Sequence, residues 1–375
     1  VASFETPSSF MLITHIEIYR FSIKMHPFVI ATGTMFYAQN VFIRVYTNQG
    51  FYGVGECSAF PMIVGETQDT CLAMAKDFAA LWKGKDPLDI PARMQELHDF
   101  TAGNATIKSA FDMALYDIAA KAENQPLYRF LGGARRTIET DITVGIAAAG
   151  EMAAKAAHFI EMGATKLKIK LGKNAAQDIN RVKAIRQSVG EAPVIRIDAN
   201  QGWDFEDAAT ALKGMEPYNI QFCEQPMRKW NDHRLAELRR ATAIKIMADE
   251  SCFDHHDAGR LAAAEACDYI NIKFSKSGGI LEALKIHELS KKAGIPCMIG
   301  GMLESRIALS AKLHFAYACS GIVFHDMDTC MLGHLEDPCE GGIRFSGFLL
   351  DIEDTPGIGA DANEAFLQKC EKIVI

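Results

Sequence analysis

Five ionisable residues recur at almost even spacing through the middle of this chain: Lys170, Asp198, Glu224, Asp249 and Lys273, separated by 28, 26, 25 and 24 residues. Two further intervals of that size lead to Asp326 and Asp328. One strand, one helix and two short loops take up about 25 residues. Each of these residues closes a strand-like run and precedes a helix-like one. The runs are TDITVGI, TKLKIKLG, PVIRIDAN, IQFCEQP, IKIMADES, DYINIKFS, IPCMIGGM and GIVFHDMD, eight in all. That pattern predicts an α/β chain with a (β/α)8-type barrel. In such a barrel every strand ends on the same rim, where catalytic groups gather.

Alternation within the runs agrees. In TKLKIKLG, Lys166, Lys168 and Lys170 share one face and Leu167, Ile169 and Leu171 the other. The outer face of a barrel packs on helices and must be apolar, so the lysines point inward or to the rim. By the same rule Asn271 and Lys273 face in, as do Met247 and Asp249, and Asp326 and Asp328 share a face with Phe324. A single charged residue at a strand end is ordinarily a solvated rim residue. Six or more at matched ends of successive strands point to a site.

The flanking segments read differently. MLITHIEIY and VFIRVY are strand-like, and Asn48-Gln49-Gly50 turns the chain into a hairpin partner, FYGVGE. From Thr67 to Leu131 apolar residues recur at helical spacing, and Gly132-Gly133 closes the region. The expected division is an extension or processing remnant at 1–10, an α+β capping domain at 11–135, the barrel at 136–332 and a C-terminal segment at 333–375 that returns to the cap. Gly163, Gly190 and Gly294 fall where left-handed helix ends are wanted.

With 49% hydrophobic residues the 375-residue chain can build a large core, and its net charge of −8 has no basic stretch. Nucleic acid and anionic membrane are therefore not expected partners. No apolar run is long enough to span a bilayer. Ten cysteines without disulfide or zinc spacing point to a reducing compartment, the cytoplasm. A homo-oligomer stays open. Cys223 and Cys252 are expected to pack. Trp82, Trp203 and Trp230 are expected in the core or as loop anchors. His233, His255 and His256 fall at helix starts and are expected on the solvated surface.

Asp198, Glu224 and Asp249 lie on three consecutive strands. Such crowded carboxylates repel, and a divalent cation removes the conflict. Ligands that are all oxygen favour Mg²⁺, with Mn²⁺ as the other choice. Lys170 and Lys273 flank the group. Lys168, one side chain deeper, would either lower the pKa of Lys170 and help it serve as a base, or form a plain ion pair.

These residues resemble the enolase superfamily, in its muconate-lactonizing-enzyme-like branch. Lys168-Ile169-Lys170 is similar to the family's Lys-x-Lys, Lys273 in NIK to the opposing base, and Asp198 in DAN, Glu224 in EQP and Asp249 in ADES to the Mg²⁺ ligands. Asn200 looks like a companion of the first ligand or a cap of the next helix. Asp326-Met327-Asp328 resembles the Asp-x-Asp with which dipeptide epimerases hold the substrate's ammonium group. The resemblance implies an isomerase: two lysines exchange a proton at the C-terminal α-carbon of a dipeptide through an enediolate. It implies substrate contacts from Thr143, Lys168, Gly301, Met302, Leu303, Asp326 and Asp328, and murein-type L-Ala-D/L-Glu or other L-Ala-L-Xaa dipeptides.

One feature departs from the L-Ala-D/L-Glu epimerases: Gly33 stands where the resemblance places a cap-loop arginine. The loop VIATGTMFYA has no cation, leaving Lys24 as a substitute or smaller, neutral side chains as substrates. N-succinylamino-acid racemase, o-succinylbenzoate synthase and cycloisomerase chemistry use the same lysines and metal without Asp326 and Asp328. A Schiff-base aldolase using Lys273, and a non-catalytic barrel, are the readings from other classes.

Overall fold

The structure is a computed structural model and describes residues 10–375. The expected N-terminal extension lies outside these residues except for Phe10, whose carbonyl accepts from Asn48 Nδ2 at 3.1 Å.

The cap begins with three antiparallel strands, β1 (Ile13–Ile30), β2 (Gly33–Thr47) and β3 (Tyr52–Ser58), followed by the helices α1 (Gln68–Trp82), α2 (Ile90–Phe100) and α3 (Ala105–Ala122). The glycines of FYGVGE let β3 lie directly on α3. A Cβ at Gly53 or Gly55 would stand 2.0 or 1.9 Å from the carbonyl oxygen of Ala114 or Ala110. The chain's last strand, Lys372–Val374, pairs antiparallel with β1, so the tail does return to the cap. Part of the tail stays with the barrel, since Leu349–Asp351 pairs with Ile138–Glu139 at its entrance.

Eight parallel strands follow one another around the barrel in chain order. They are Ile142–Val144, Lys166–Lys170, Val194–Asp198, Ile220–Glu224, Lys245–Ala248, Tyr269–Ile272, Cys297–Gly300 and Ile322–Asp326, referred to as barrel strands 1 to 8. Strands 1 and 8 meet through the Asp141 N–H, which donates to the His325 carbonyl at 3.1 Å. Helices cover the outside, and their starts are capped by Asn174, Asp204, Asp254 and Ser305. Gly163, Gly190 and Gly294 close helices at φ of +96°, +73° and +70°. The lower interior is plugged by Phe222, Met247 and Met298, packed with Tyr269 and Phe324. The Arg196 guanidinium sits 5.3 Å from the Phe222 ring and 5.0 Å from that of Phe324. Charge therefore begins above an apolar floor.

Glu56, at the end of β3, joins the two domains. It accepts from the Ser305 N–H at 2.9 Å, the Ser305 hydroxyl at 2.7 Å and the Ala308 N–H at 3.1 Å, which satisfies the start of the barrel helix Arg306–Ala318. No helix among the described residues is long and apolar enough to cross a membrane.

Candidate active site

Parallel register sets the level of the site. Lys170 pairs with Asp198, and Asp198 with Glu224, so the ends of strands 2, 3 and 4 stand at one height, and Asp249 follows strand 5. Asp198, Glu224 and Asp249 are completely buried. Lys170 Nζ lies 2.6 Å from Asp198 Oδ2 and Lys273 Nζ 2.6 Å from Asp249 Oδ2. Strands 2 and 6 are four apart in a ring of eight, so the two lysines approach from opposite sides. Glu224, between them, is held by Lys168 Nζ at 2.7 Å and Asn271 Nδ2 at 2.7 Å. The row is all oxygen, buried and bordered by cations, which is the donor set a hard divalent cation takes.

The backbone behind these strands is unusual. Asn200, Gln201 and Gln225 have φ of +41°, +65° and +34°, a region non-glycine residues seldom occupy. Gln225 is pinned there: its Oε1 accepts from the N–H groups of Asp249 at 2.9 Å and Ser251 at 3.1 Å. Such conformations persist where surrounding contacts over-determine them, typically at functional sites.

Charge is finely divided. Burial pushes Asp198 and Asp249 up, but Lys170 and Lys168 for the first, and Lys273 and Lys276 for the second, hold both below the usual carboxylate range. Glu224 is pushed up to about 8 by burial and by Asp198. Burial lowers Lys273, yet Asp249 and Glu224 outweigh it and hold its ammonium above ordinary lysine. The depressed pKa expected of a lysine base is thus not what Lys273 shows while it is paired to these carboxylates. Lys168 takes the second of its two expected roles, as an ion-pair partner of Asp326 at 2.8 Å, Glu224 at 2.7 Å and Asp198 at 3.2 Å.

A second acidic group stands across the cavity. Asp141, Asp326 and Asp328, all buried, bring carboxylate oxygens within 4.8 Å of one another. Asp141 Oδ2 pairs with Arg196 at 2.7 Å, whereas its Oδ1 has no hydrogen-bond partner among the described residues. Asp328 accepts from the Thr143 N–H at 2.7 Å. Burial, Asp326 and Asp141 push Asp328 well above a normal carboxylate. Burial works against Asp326 too, but Lys168, Lys273 and Lys170 bring it to about 2.

A cavity of about 50 Å³ joins the two groups, lined by Lys170, Lys273, Thr143, Asp326 and Asp328. Gly301, Met302 and Leu303 also line it, with Asn200 and Thr329. Its remaining wall is apolar: Phe28, Ile30, Phe60 and Ile63 from the cap, and Leu332. The cap residues went unnoticed in the sequence because they read only as core of strands and loops.

Some expectations fail. Lys24 is exposed and does not line the cavity. Gly33 begins β2 at the tip of the β1–β2 hairpin, against Met62. Asn200 is no helix cap, since Asp204 has that role; it accepts from Lys170 Nζ at 3.0 Å. Trp82 and Trp203 are buried, but Trp230 is 70% exposed, with the Arg228 guanidinium 5.4 Å from its ring centroid. His233 and His256 are exposed, while His255 is half-buried and pairs with Glu282. Lys276 was missed. It follows Lys273 by one helical turn, is fully buried, and binds Asp249 Oδ1 at 2.6 Å and the carbonyls of Cys252 and Asn271 at 3.0 Å. The K-x-x-K spacing was its only signal.

Comparison with known proteins agrees with this architecture. Residues 13–132 match the mandelate racemase/muconate lactonizing enzyme N-terminal domain, and residues 151–366 the enolase C-terminal domain-like family. The D-Ala-D/L-Ala epimerase of Cytophaga hutchinsonii is 40% identical over 97% of this chain and 100% of its own. The L-Ala-D/L-Glu epimerase of Bacillus subtilis is 36% identical over 93% of this chain and 96% of its own. The crystal structure of the Cytophaga hutchinsonii dipeptide epimerase with Mg and D-Ala-L-Val superposes with a TM-score of 0.96, covering 97% of this chain and 100% of that one. Barrel and cap both accord with those matches, and the chain belongs to the enolase superfamily, in its mandelate racemase/muconate lactonizing enzyme branch.

Proposed function

We propose that this chain is a Mg²⁺-dependent epimerase of dipeptides, acting at the α-carbon of the C-terminal residue. The observation that carries this reading is the pairing of two cation-binding features across one cavity. Lysines on opposite strands flank a buried carboxylate row, and Asp326 and Asp328 line the same cavity as those lysines. Relatives named as epimerases of D-Ala-D/L-Ala and L-Ala-D/L-Glu support it.

Asp198, Glu224 and Asp249 are the residues that would hold Mg²⁺. Once bound, the ion supplies positive charge for the substrate carboxylate while its α-proton is away. Positive charge held among these carboxylates would offset the pull of Asp249 and Glu224 that keeps Lys273 protonated. Lys170 or Lys273 then removes the α-proton, and the other lysine returns one to the opposite face. The roles swap with the direction of reaction. Lys168 keeps Glu224 and Asp326 in place. The trio Asp141, Asp326 and Asp328 takes the dipeptide's ammonium group. We assign that cation to the trio, rather than a metal, because Asp326 and Asp328 line the cavity.

The apolar cap wall favours small or apolar C-terminal side chains over glutamate. Near Gly33 the Lys173 ammonium donates to the Ala31 carbonyl at 2.9 Å, but it does not line the cavity. The ten unpaired cysteines favour a cytoplasmic enzyme.

The test is a dipeptide panel in deuterium oxide with Mg²⁺, including L-Ala-L-Ala, L-Ala-L-Leu, murein-type L-Ala-L-Glu and N-acylated amino acids. Deuterium should enter at the C-terminal α-carbon of free-amine dipeptides with apolar ends, with EDTA stopping the exchange. Exchange confined to N-acylated compounds would sink the assignment of the trio.

A further inference from the structure

A second cavity, of about 480 Å³, opens between cap and barrel and shares no lining residue with the active-site cavity. Glu66, His98 and Lys108 face it from the cap, and Ser277, Glu282 and Lys285 from the barrel. Lys108, on α3, is 1% exposed. Its Nζ donates to the Thr101 carbonyl at 2.6 Å and to His98 Nδ1 at 3.4 Å. Among the described residues it forms no ion pair. A buried cation without a direct ion pair is costly, and burial pushes this ammonium down to about 8 against the attraction of the Glu66 carboxylate.

The acids nearby are already engaged. Glu66 accepts from the Thr106 N–H at 2.8 Å and from Asn104 Nδ2 at 3.4 Å. Glu282 accepts from the His255 N–H at 2.9 Å and pairs with Lys285 at 3.1 Å. Donors are in surplus. His98 Nδ1 accepts from Lys108, so its proton sits on Nε2. The Ser277 hydroxyl is buried and has no hydrogen-bond partner among the described residues.

A buried ammonium, an imidazole N–H and an unpartnered hydroxyl around one cavity are a donor set for an anion with several acceptor oxygens. We propose that this cavity binds a small oxyanion, a carboxylate or inorganic phosphate, between Lys108 of the cap and Ser277 of the barrel. Its occupant ties α3 to the one-turn helix Phe274–Ser277, whose Lys276 grips Asp249. The site lies beside the chemistry without touching the substrate cavity.

The experiment uses the full chain with Mg²⁺, titrated with inorganic phosphate and, separately, with acetate. Thermal unfolding and calorimetry are read together. Wild type should show saturable binding, with Tm rising on the order of 2 °C at ten times Kd. The anion that responds identifies the source. Lys108→Met and Ser277→Ala should each weaken binding at least about tenfold, as the loss of a charge-assisted or buried hydrogen bond does, while epimerisation stays as in wild type. Ser277→Ala keeps the test readable should Lys108→Met not fold. Absence of saturable binding of either anion, or wild-type affinity in both variants, overturns the proposal.

Discussion

The two walls of the active-site cavity are chemical opposites. The barrel wall crowds lysines and carboxylates into a buried lattice, in which Lys170, Lys168, Lys273 and Lys276 each contact at least one acid within 2.8 Å. The cap wall presents Phe28, Ile30, Phe60 and Ile63, and no charge. Proton transfer needs groups whose protonation is tuned by close neighbours, and rigid strand ends hold such neighbours in place. Selecting a side chain needs only a surface of fitting size and polarity. On the proposed reading, reaction and side-chain selectivity fall to different domains and should be separable by mutation.

The largest effect should come from the barrel wall. Lys273→Ala should lower epimerisation about 10³-fold or more, in the range of a lost general acid–base group, while Mn²⁺ binding followed by magnetic resonance persists. Retention of full turnover would remove Lys273 from the mechanism. Next comes the acidic trio. Asp328→Asn should raise KM for free-amine dipeptides about tenfold to a hundredfold, the scale of one hydrogen bond to a charged group. N-acylated compounds should show no such penalty, and an equal loss for both classes would count against the ammonium assignment.

The cap wall should give smaller shifts that change preference rather than rate. Gly33→Arg, combined with Met62→Ala to clear the sulfur 2.2 Å from the new Cβ, should move kcat/KM toward L-Ala-L-Glu by about tenfold relative to L-Ala-L-Leu. An unchanged ratio would show that the hairpin tip does not reach the side chain.

The smallest effect probes the seam between the domains. His314 accepts from the Tyr128 N–H at 3.2 Å and, through Nε2, donates to the Ile358 carbonyl at 3.1 Å, so it is neutral. Burial pushes it down to about 4. The unfolded chain binds this proton below its ordinary value of about 6.5, and the folded chain does not. Stability is therefore lost as pH falls from about 6.5 toward 4, by at most about 1.4 kcal/mol per pH unit. Against His314→Gln, the wild-type urea midpoint should drop more steeply over that window. Parallel curves would mean the ring is protonated in the fold.

Much of the site was legible because a barrel turns sequence spacing into geometry. Intervals of 24 to 28 residues between Lys170 and Lys273 return the chain to one rim, and alternation tells inside from outside. Lys276, Asn271 and Gln225 were not read as site residues. Their importance lies in partners on other strands, and nothing local separates a lysine that grips Asp249 from one on a helix surface. Lys24 failed for the complementary reason, since a residue type states what a side chain can do but not whether a cavity lies within its reach.

By itself, then, the order of residues settled the barrel, its rim and the identity of the charged groups upon it, because strand and helix periods are local properties of the chain. Only the folded molecule decided which charges neutralise which, how far burial moves each proton, and that apolar side chains of the cap line the cavity. Those outcomes depend on distances between segments more than a hundred residues apart, such as the 2.8 Å between Lys168 and Asp326, and on the low dielectric that folding creates around them.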